Sequence, residues 1–200
     1  MAVAALLSVV VSAASGCTRR ERGPSRFEET PTRYWTALEA YEQIEPAILE
    51  WHEDAYVVYV GAVLTDERPG WGLQSDGRVP RWTFVIDSPS FMTQTGITLV
   101  HEKEITIGVD GHPEIAITEL GAPLPMDQIT DSNLAIQIAR GAGVAMSPYE
   151  IGLARFDRDL QREIPLSWLL TYAPPEGGQV LVFINALTGE LIRNGFAEQN

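Results

Sequence analysis

Two hundred residues, 45% of them apolar and 20% charged, suffice for one globular domain with a real core or two very small ones. Fourteen Lys and Arg against 27 Asp and Glu leave a formal net charge of −13, which argues against nucleic-acid backbones and anionic membrane surfaces as partners. One cysteine and three histidines remove any intramolecular disulfide or Cys-rich zinc site and leave little for a His-based metal cage.

The chain opens with MAVAALLSVVVSAASGC, uncharged, apolar from Ala2 to Val11 and small from Ser12 to Gly16. The run has signal-peptide length and is too short to span a bilayer stably. Ala14, Ser15 and Gly16 directly before Cys17 resemble the lipobox of bacterial lipoproteins, although no Lys or Arg precedes the apolar run. The resemblance implies cleavage after residue 16 and acylation of Cys17. Membrane contact would then be through the lipid anchor alone, each buried CH₂ adding about 0.8 kcal/mol, with the folded part facing the periplasm or exterior of a bacterial envelope. The alternative is an uncleaved apolar helix with an incidental cysteine. Residues 17–33, containing TRRERGPSRFEETPTR with Pro24 and Pro31, read as a polar tether in which Phe27 alone could pack on a domain.

From Tyr34 the period becomes helical. Trp35, Leu38, Tyr41, Ile44, Ile48, Leu49 and Trp51 or His52 recur at three and four residues, with Thr32 or Thr36 as cap and Pro46 expected to kink or break the helix near Glu45. Ala55 to Leu64 reads as a buried strand. A turn-rich loop with three Gly and two Pro then leads to strand-like runs at Arg81–Asp87, Ile97–His101 and Glu104–Asp110. In the first of these Trp82, Phe84 and Ile86 share one face.

After Gly121, Pro123 and Pro125 a second series of the same kind begins. Asp131 or Ser132 caps a short helix with Leu134, Ala135, Ile138 and Ala139 on one face, ending at Gly141. Strands are expected near Tyr149–Phe156, then at Ser167–Tyr172, Gln179–Asn185 and Glu190–Arg193. Helix followed by meander twice over predicts an α+β fold with helices packed on an antiparallel sheet, in two units at residues 34–120 and 121–200. Pro80-Arg81-Trp82 and Pro165-Leu166-Ser167-Trp168 open corresponding strands in the two series.

Within residues 127–194, Trp168, Tyr172, Asn185, Ala186, Thr188, Gly189 and Glu190 stand where the PepSY module of bacterial envelope proteins has its strand aromatics and its turn. The segment resembles that family, and residues 34–110 look like a diverged copy lacking the Thr-Gly-acid turn. Such a tandem resembles in outline the arrangement of the beta-lactamase inhibitor protein. Read without the family, Asn185 to Glu190 is a tight turn in which Gly189 takes positive φ and Asn185 and Thr188 bond the local backbone.

Sites for chemistry are few. Gly72-Leu73-Gln74-Ser75-Asp76-Gly77 is not a nucleophile elbow. His101-Glu102-Lys103-Glu104-Ile105 lacks the second histidine of a zinc-protease helix. Trp51-His52-Glu53-Asp54 reads as a solvated helix end, and Asp110-Gly111-His112-Pro113-Glu114 as a turn with too few oxygen ligands for calcium. No catalytic residue, metal ligand or cofactor motif emerges. Paired carboxylates far apart in sequence stay open as a hydrolase alternative. Trp35, Trp51, Trp82 and Trp168 read as core. Trp71, in the loop sequence PGWG, is either a partner-binding anchor or a lid folded back over the core.

The expected function is non-catalytic. PepSY-like modules are implied to bind, and to restrain, secreted or envelope proteins such as peptidases. The surface would be the exposed sheet face or the loop around Trp71, with the acidic balance favouring a basic partner. The alternative is a small-molecule module using the concavity between helix and sheet.

Overall fold

The structure, a computed structural model, describes residues 31–64, 71–90, 95–100, 104–107, 122–154, 165–175 and 177–197. Cys17 with its leader, the tether up to residue 30, His101, His112 and the turn at 110–114 lie outside the described residues. The elements run α1 (Ala37–Trp51), β1 (Tyr56–Val63), β2 (Arg81–Asp87), β3 (Thr95–Val100), β4 (Glu104–Ile107), α2 (Ser132–Gly141), β5 (Glu150–Ala154), β6 (Ser167–Tyr172), β7 (Gln179–Asn185) and β8 (Leu191–Ala197). The fold is α+β, with both helices packed on an antiparallel sheet.

All eight strands form one sheet in the order β4-β3-β2-β1-β5-β6-β7-β8. Each half of the chain thus supplies a helix and a four-strand meander, and the two meanders meet where β1 pairs antiparallel with β5. At that seam Gly61 stands opposite Gly152, and the Tyr59 ring lies across both. A side chain at Gly61 would come within 2.6 Å of the Tyr59 Cζ, and one at Gly152 within 3.2 Å of the Tyr59 hydroxyl. The two halves share one core. Ile44, Val60, Trp82 and Phe84 from the first half and Ala135, Ile151, Trp168, Tyr172 and Ile184 from the second belong to a single buried cluster under the helices.

The two tryptophans hold equivalent places. Trp82 near the start of β2 donates its indole N–H to the Trp35 carbonyl at 3.0 Å, one residue before the α1 cap Thr36. Trp168 in β6 donates to the Thr130 carbonyl at 2.7 Å, one residue before the α2 cap Asp131. Their rings meet edge to face with centroids 6.4 Å apart, a favourable aromatic geometry. Each helix is thereby fixed at its first turn to the second strand of its own meander.

The helix starts also hold one another. Thr36 and Glu39 form a reciprocal capping box on α1. The buried Ser132 hydroxyl accepts from Ala37 N at 2.9 Å, and Asp131 Oδ1 accepts from Leu38 N at 3.2 Å and Ser132 N at 2.7 Å. One carboxylate therefore serves two positive helix ends. The loop at 71–80 ties the pair from outside, because Arg78 grips the Glu39 carboxylate through Nη2 at 2.6 Å and Nε at 3.0 Å while Arg140 of α2 donates to the Ser75 carbonyl at 2.9 Å.

Four features depart from the sequence reading. Pro46 lies inside α1 without ending it; it sits on the exposed side, so the carbonyl it cannot serve, that of Glu42, faces water instead of core. Leu49 and Leu134 point outward, while Ala37, Ala40 and Ile136 face in. Strand β8 continues to Ala197, because pairing with β7 carries it through Asn194 and Gly195. The sheet face away from the helices is open only in part, since Tyr59, Val85, Thr171, Leu181 and Phe183 are buried there outside the main core while Val63 is exposed. Runs such as VVYV and VLVFI are apolar on both faces, as strands covered on both sides are.

Replacing either tryptophan by Phe removes the indole donor and part of a packed ring, and we expect each change to cost about 2–4 kcal/mol. Trp168→Phe is expected to be the worse by about 1 kcal/mol, because the Trp35 carbonyl keeps a second donor, Val79 N at 3.0 Å. Urea midpoints of the two variants check the order.

Candidate functional site

Helix α1 buries Ala37, Ala40, Ile44 and Ile48. With this stripe turned inward, Leu38 and Tyr41 fall to its flank. There the segment Leu124–Asp127 runs alongside, pinned by Leu124 N donating to the Val57 carbonyl at 2.8 Å. Between them lies an open cleft of about 500 Å³ lined by Leu38, Tyr41, Glu42, Glu45, Leu124, Met126 and Asp127. The floor is apolar and aromatic. Among the described residues the rim carries three carboxylates and no cation.

Tyr41 joins floor to rim. Its hydroxyl donates to Glu45 Oε1 at 3.1 Å, its ring packs 6.4 Å from that of Phe84, and burial, followed by the nearby Glu45 and Asp127 charges, pushes its pKa up to about 12. The phenol therefore stays neutral and keeps its proton on Glu45 at any physiological pH. Pro46 adds an acceptor beside these groups, because without an N–H it leaves the Glu42 carbonyl lacking its intrahelical donor. Carboxylates, a carbonyl and an aromatic face around an apolar floor make a place for cations carried on apolar stems.

A second polar cluster closes the far end of α1. Asp54 accepts from the Ser88 and Ser90 hydroxyls, both at 2.5 Å, and from Ser90 N at 3.0 Å, while His52 Nδ1 stands 2.6 Å away. The Ser88 and Ser90 hydroxyl bonds, with lesser help from the Ser90 amide and His52, hold its carboxyl well below the usual carboxylate range. Each hydroxyl spends its single proton on the carboxylate, so neither is aimed at an imidazole as a nucleophile would be. The cluster staples the end of β2 to the α1–β1 connection. His52, expected at a solvated helix end, is the C-cap residue and bonds the Ile48 carbonyl through its own N–H at 3.1 Å.

Of the two surfaces expected to meet a partner, the Trp71 side chain is buried and the sheet face is partly so. Trp71 is only 6% exposed, the folded-back alternative, so it is not offered as an anchor. Its Gly- and Pro-rich loop turns back on the helices through Arg78, and the tryptophan goes inward with it. The face opposite the helices is buried at Tyr59, Val85, Thr171, Leu181 and Phe183, half-buried at Thr83 and Leu169, and exposed at Val63. The space between helices and sheet, the suggested small-molecule concavity, is filled by Ile44, Trp82, Ala135 and Trp168. Trp35, Trp82 and Trp168 are core, and Trp51 packs half-buried against it. Among the described residues no three His, Cys, Asp or Glu side chains gather as a metal site, and no helix is long and apolar enough to cross a membrane.

No protein-family model, curated protein or solved structure matches this chain.

The cleft was not read from the sequence. Its signal was the run Leu38, Tyr41, Glu42 and Glu45 at spacings of three, four and seven, which places carboxylates on a stripe otherwise taken as apolar. The Asn185–Glu190 turn, in contrast, folds as its residues dictate. Asn185 Oδ1 accepts from Leu187 N and Thr188 N at 2.9 and 3.1 Å, Thr188 Oγ1 accepts from Glu190 N at 3.2 Å, and Gly189 has φ 72°.

The Asp54 staple gives a pH-dependent outcome. A carboxyl whose folded pKa is depressed adds stability above its unfolded pKa of about 3.9 and loses it as the pH falls through the folded value. Wild type is therefore expected to melt higher than Asp54→Asn at pH 7, with the gap closing below about pH 4. A gap that is the same at pH 7 and pH 3 would contradict this role.

Proposed function

We propose that this protein is a non-catalytic binding module of the bacterial envelope, anchored through a lipid on Cys17, that receives a basic segment of a secreted or envelope protein in the cleft along α1. The observation that carries the reading is the cleft's composition: an apolar floor of Leu38, Tyr41, Leu124 and Met126 under the carboxylates of Glu42, Glu45 and Asp127. Amphipathic Arg and Lys side chains match both parts, laying their stems on the floor and their charges at the rim. The net charge of −13 steers a basic partner over longer range.

The lipobox-like run before Cys17 supports the anchor, and the resemblance of residues 127–194 to PepSY modules supports a partner that is a peptidase or another exported protein. The burial of Trp71 and of Tyr59, Val85, Thr171, Leu181 and Phe183 on the opposite sheet face favours the cleft over those surfaces. Restraint of a peptidase would follow if its basic segment borders its own active site.

Photo-cross-linking in cells tests this reading. A cross-linker at Gln128, exposed beside Asp127, is expected to trap a basic envelope protein, with yield falling at least about tenfold, or about 1.4 kcal/mol, in Glu42→Lys/Glu45→Lys. A control at Leu134, exposed on α2, should trap none. Equal yield from both positions, or no effect of charge reversal, would count against the cleft. Cys17→Ala is expected to release the chain from membranes; retention there would remove the anchor.

A further inference from the structure

We infer that the cationic group taken by the cleft along α1 is an arginine guanidinium, lying on the Tyr41 ring and bridging Glu45 to Asp127, and that lysine does not replace it. The inference rests on the cleft being a site for basic segments, and adds which basic side chain it selects.

The acceptors of the cleft converge on the Tyr41 hydroxyl. Glu45, one turn along α1, receives its proton at 3.1 Å. Asp127 comes from the opposite wall, and its charge, with that of Glu45, bears on the same phenol. With its proton committed to Glu45, the phenol oxygen keeps lone pairs that can accept. Two carboxylates from separate walls and a hydroxyl oxygen therefore surround one aromatic ring, itself held 6.4 Å from the ring of Phe84. Among the described residues no Lys or Arg pairs with Glu45 or Asp127.

A guanidinium and an ammonium fill such a place differently. The guanidinium is planar, weakly hydrated and carries five donors in a rigid fork, so it can span two carboxylates and stack on a ring at once. The ammonium is a compact, strongly hydrated point charge, and it must shed more water to rest on a floor of Leu38, Leu124 and Met126.

The molecule uses both of these arginine contacts elsewhere around α1. One turn before Glu42, Glu39 receives Arg78 through Nη2 at 2.6 Å and Nε at 3.0 Å, and the same guanidinium reaches Asp76 through Nη1 at 2.6 Å. A single arginine thus bridges an α1 carboxylate to one on a neighbouring segment, the relation in which Glu45 and Asp127 stand across the cleft. Just before the helix, the Arg33 guanidinium lies 4.8 Å over the Trp35 ring. The cleft combines the paired carboxylates of the first contact with the aromatic face of the second.

The test titrates three fluorescein-labelled peptides into the full chain in neutral detergent at low salt, with binding followed by anisotropy. One alternates Leu with Arg, the second Leu with Lys, and the third Leu with citrulline, which keeps the planar head of arginine without its charge. The arginine peptide is expected to bind at least about fivefold more tightly than the lysine peptide, and the citrulline peptide most weakly. Asp127→Asn and Tyr41→Leu are each expected to bring the arginine peptide to the affinity of the lysine peptide. Asp127 is exposed, so its variant decides the bridge even where loss of the Tyr41 ring unsettles α1. Equal binding of the arginine and lysine peptides by wild type overturns the arginine inference and leaves the site for basic segments standing. A preference that survives in either folded variant places the guanidinium elsewhere and overturns it as well. Citrulline binding as tight as arginine binding, or no binding by any of the three, removes the cation site itself and the inference with it.

Discussion

Two helix N-termini meet over a pair of tryptophans, and the rest of the molecule is arranged around that meeting. Both ends carry partial positive charge and unsatisfied amides, so bringing them together requires acceptors from outside each helix. Asp131 and Ser132 supply them across the gap, to Ala37 and Leu38 of α1, while Asp131 also serves α2 itself. Beneath, Trp82 and Trp168 bond the carbonyls one residue before each cap and pack against each other. The contact joins two helix-plus-meander units into one core, and the β1–β5 seam completes the join in the sheet.

With its start fixed, α1 has one way to lie. Ala37, Ala40, Ile44 and Ile48 form its buried stripe, so Leu38 and Tyr41, each one position on from an alanine of that stripe, fall on its flank. The Leu124–Asp127 segment, bonded to β1 through Val57, sets the opposite wall. The cleft is thus a consequence of how the helix packs, and its acidity follows from Glu42 and Glu45 lying one turn beyond those side chains. Pro46, costly in a helix interior, is placed where its defect faces the solvent beside the cleft.

Much of the fold was legible because local and tertiary signals agree. Strands β2 and β7 have the limits read from the sequence, bounded by Pro80 on one side and by the Gly177-Gly178 and Asn185 turn residues on the other. The Thr36 and Asp131 caps likewise sit where their side chains suit a helix start. What escaped depends on partners distant in sequence. β8 is extended by pairing; Ile136 replaces Leu134 inside because α2 is turned by its bonds to α1; Trp71 is carried inward by a loop whose Arg78 binds α1. The cleft was hidden for the same reason, since its second wall lies some 80 residues along the chain from the first. A helix periodicity count treats Leu38 and Tyr41 as core and Glu42 and Glu45 as solvated surface, and only the fold puts them in one site.

Amide chemical-shift mapping of the full chain, titrated with an excess of an amphipathic Arg- and Leu-containing peptide, tests the central claim most directly. Shifts are expected at Leu38 to Glu45 and at Leu124 to Gln128, vanishing in high salt as the carboxylates are screened. Shifts centred instead on the exposed Leu134 and Leu187, or spread without a focus, would contradict a cleft that recognises basic segments.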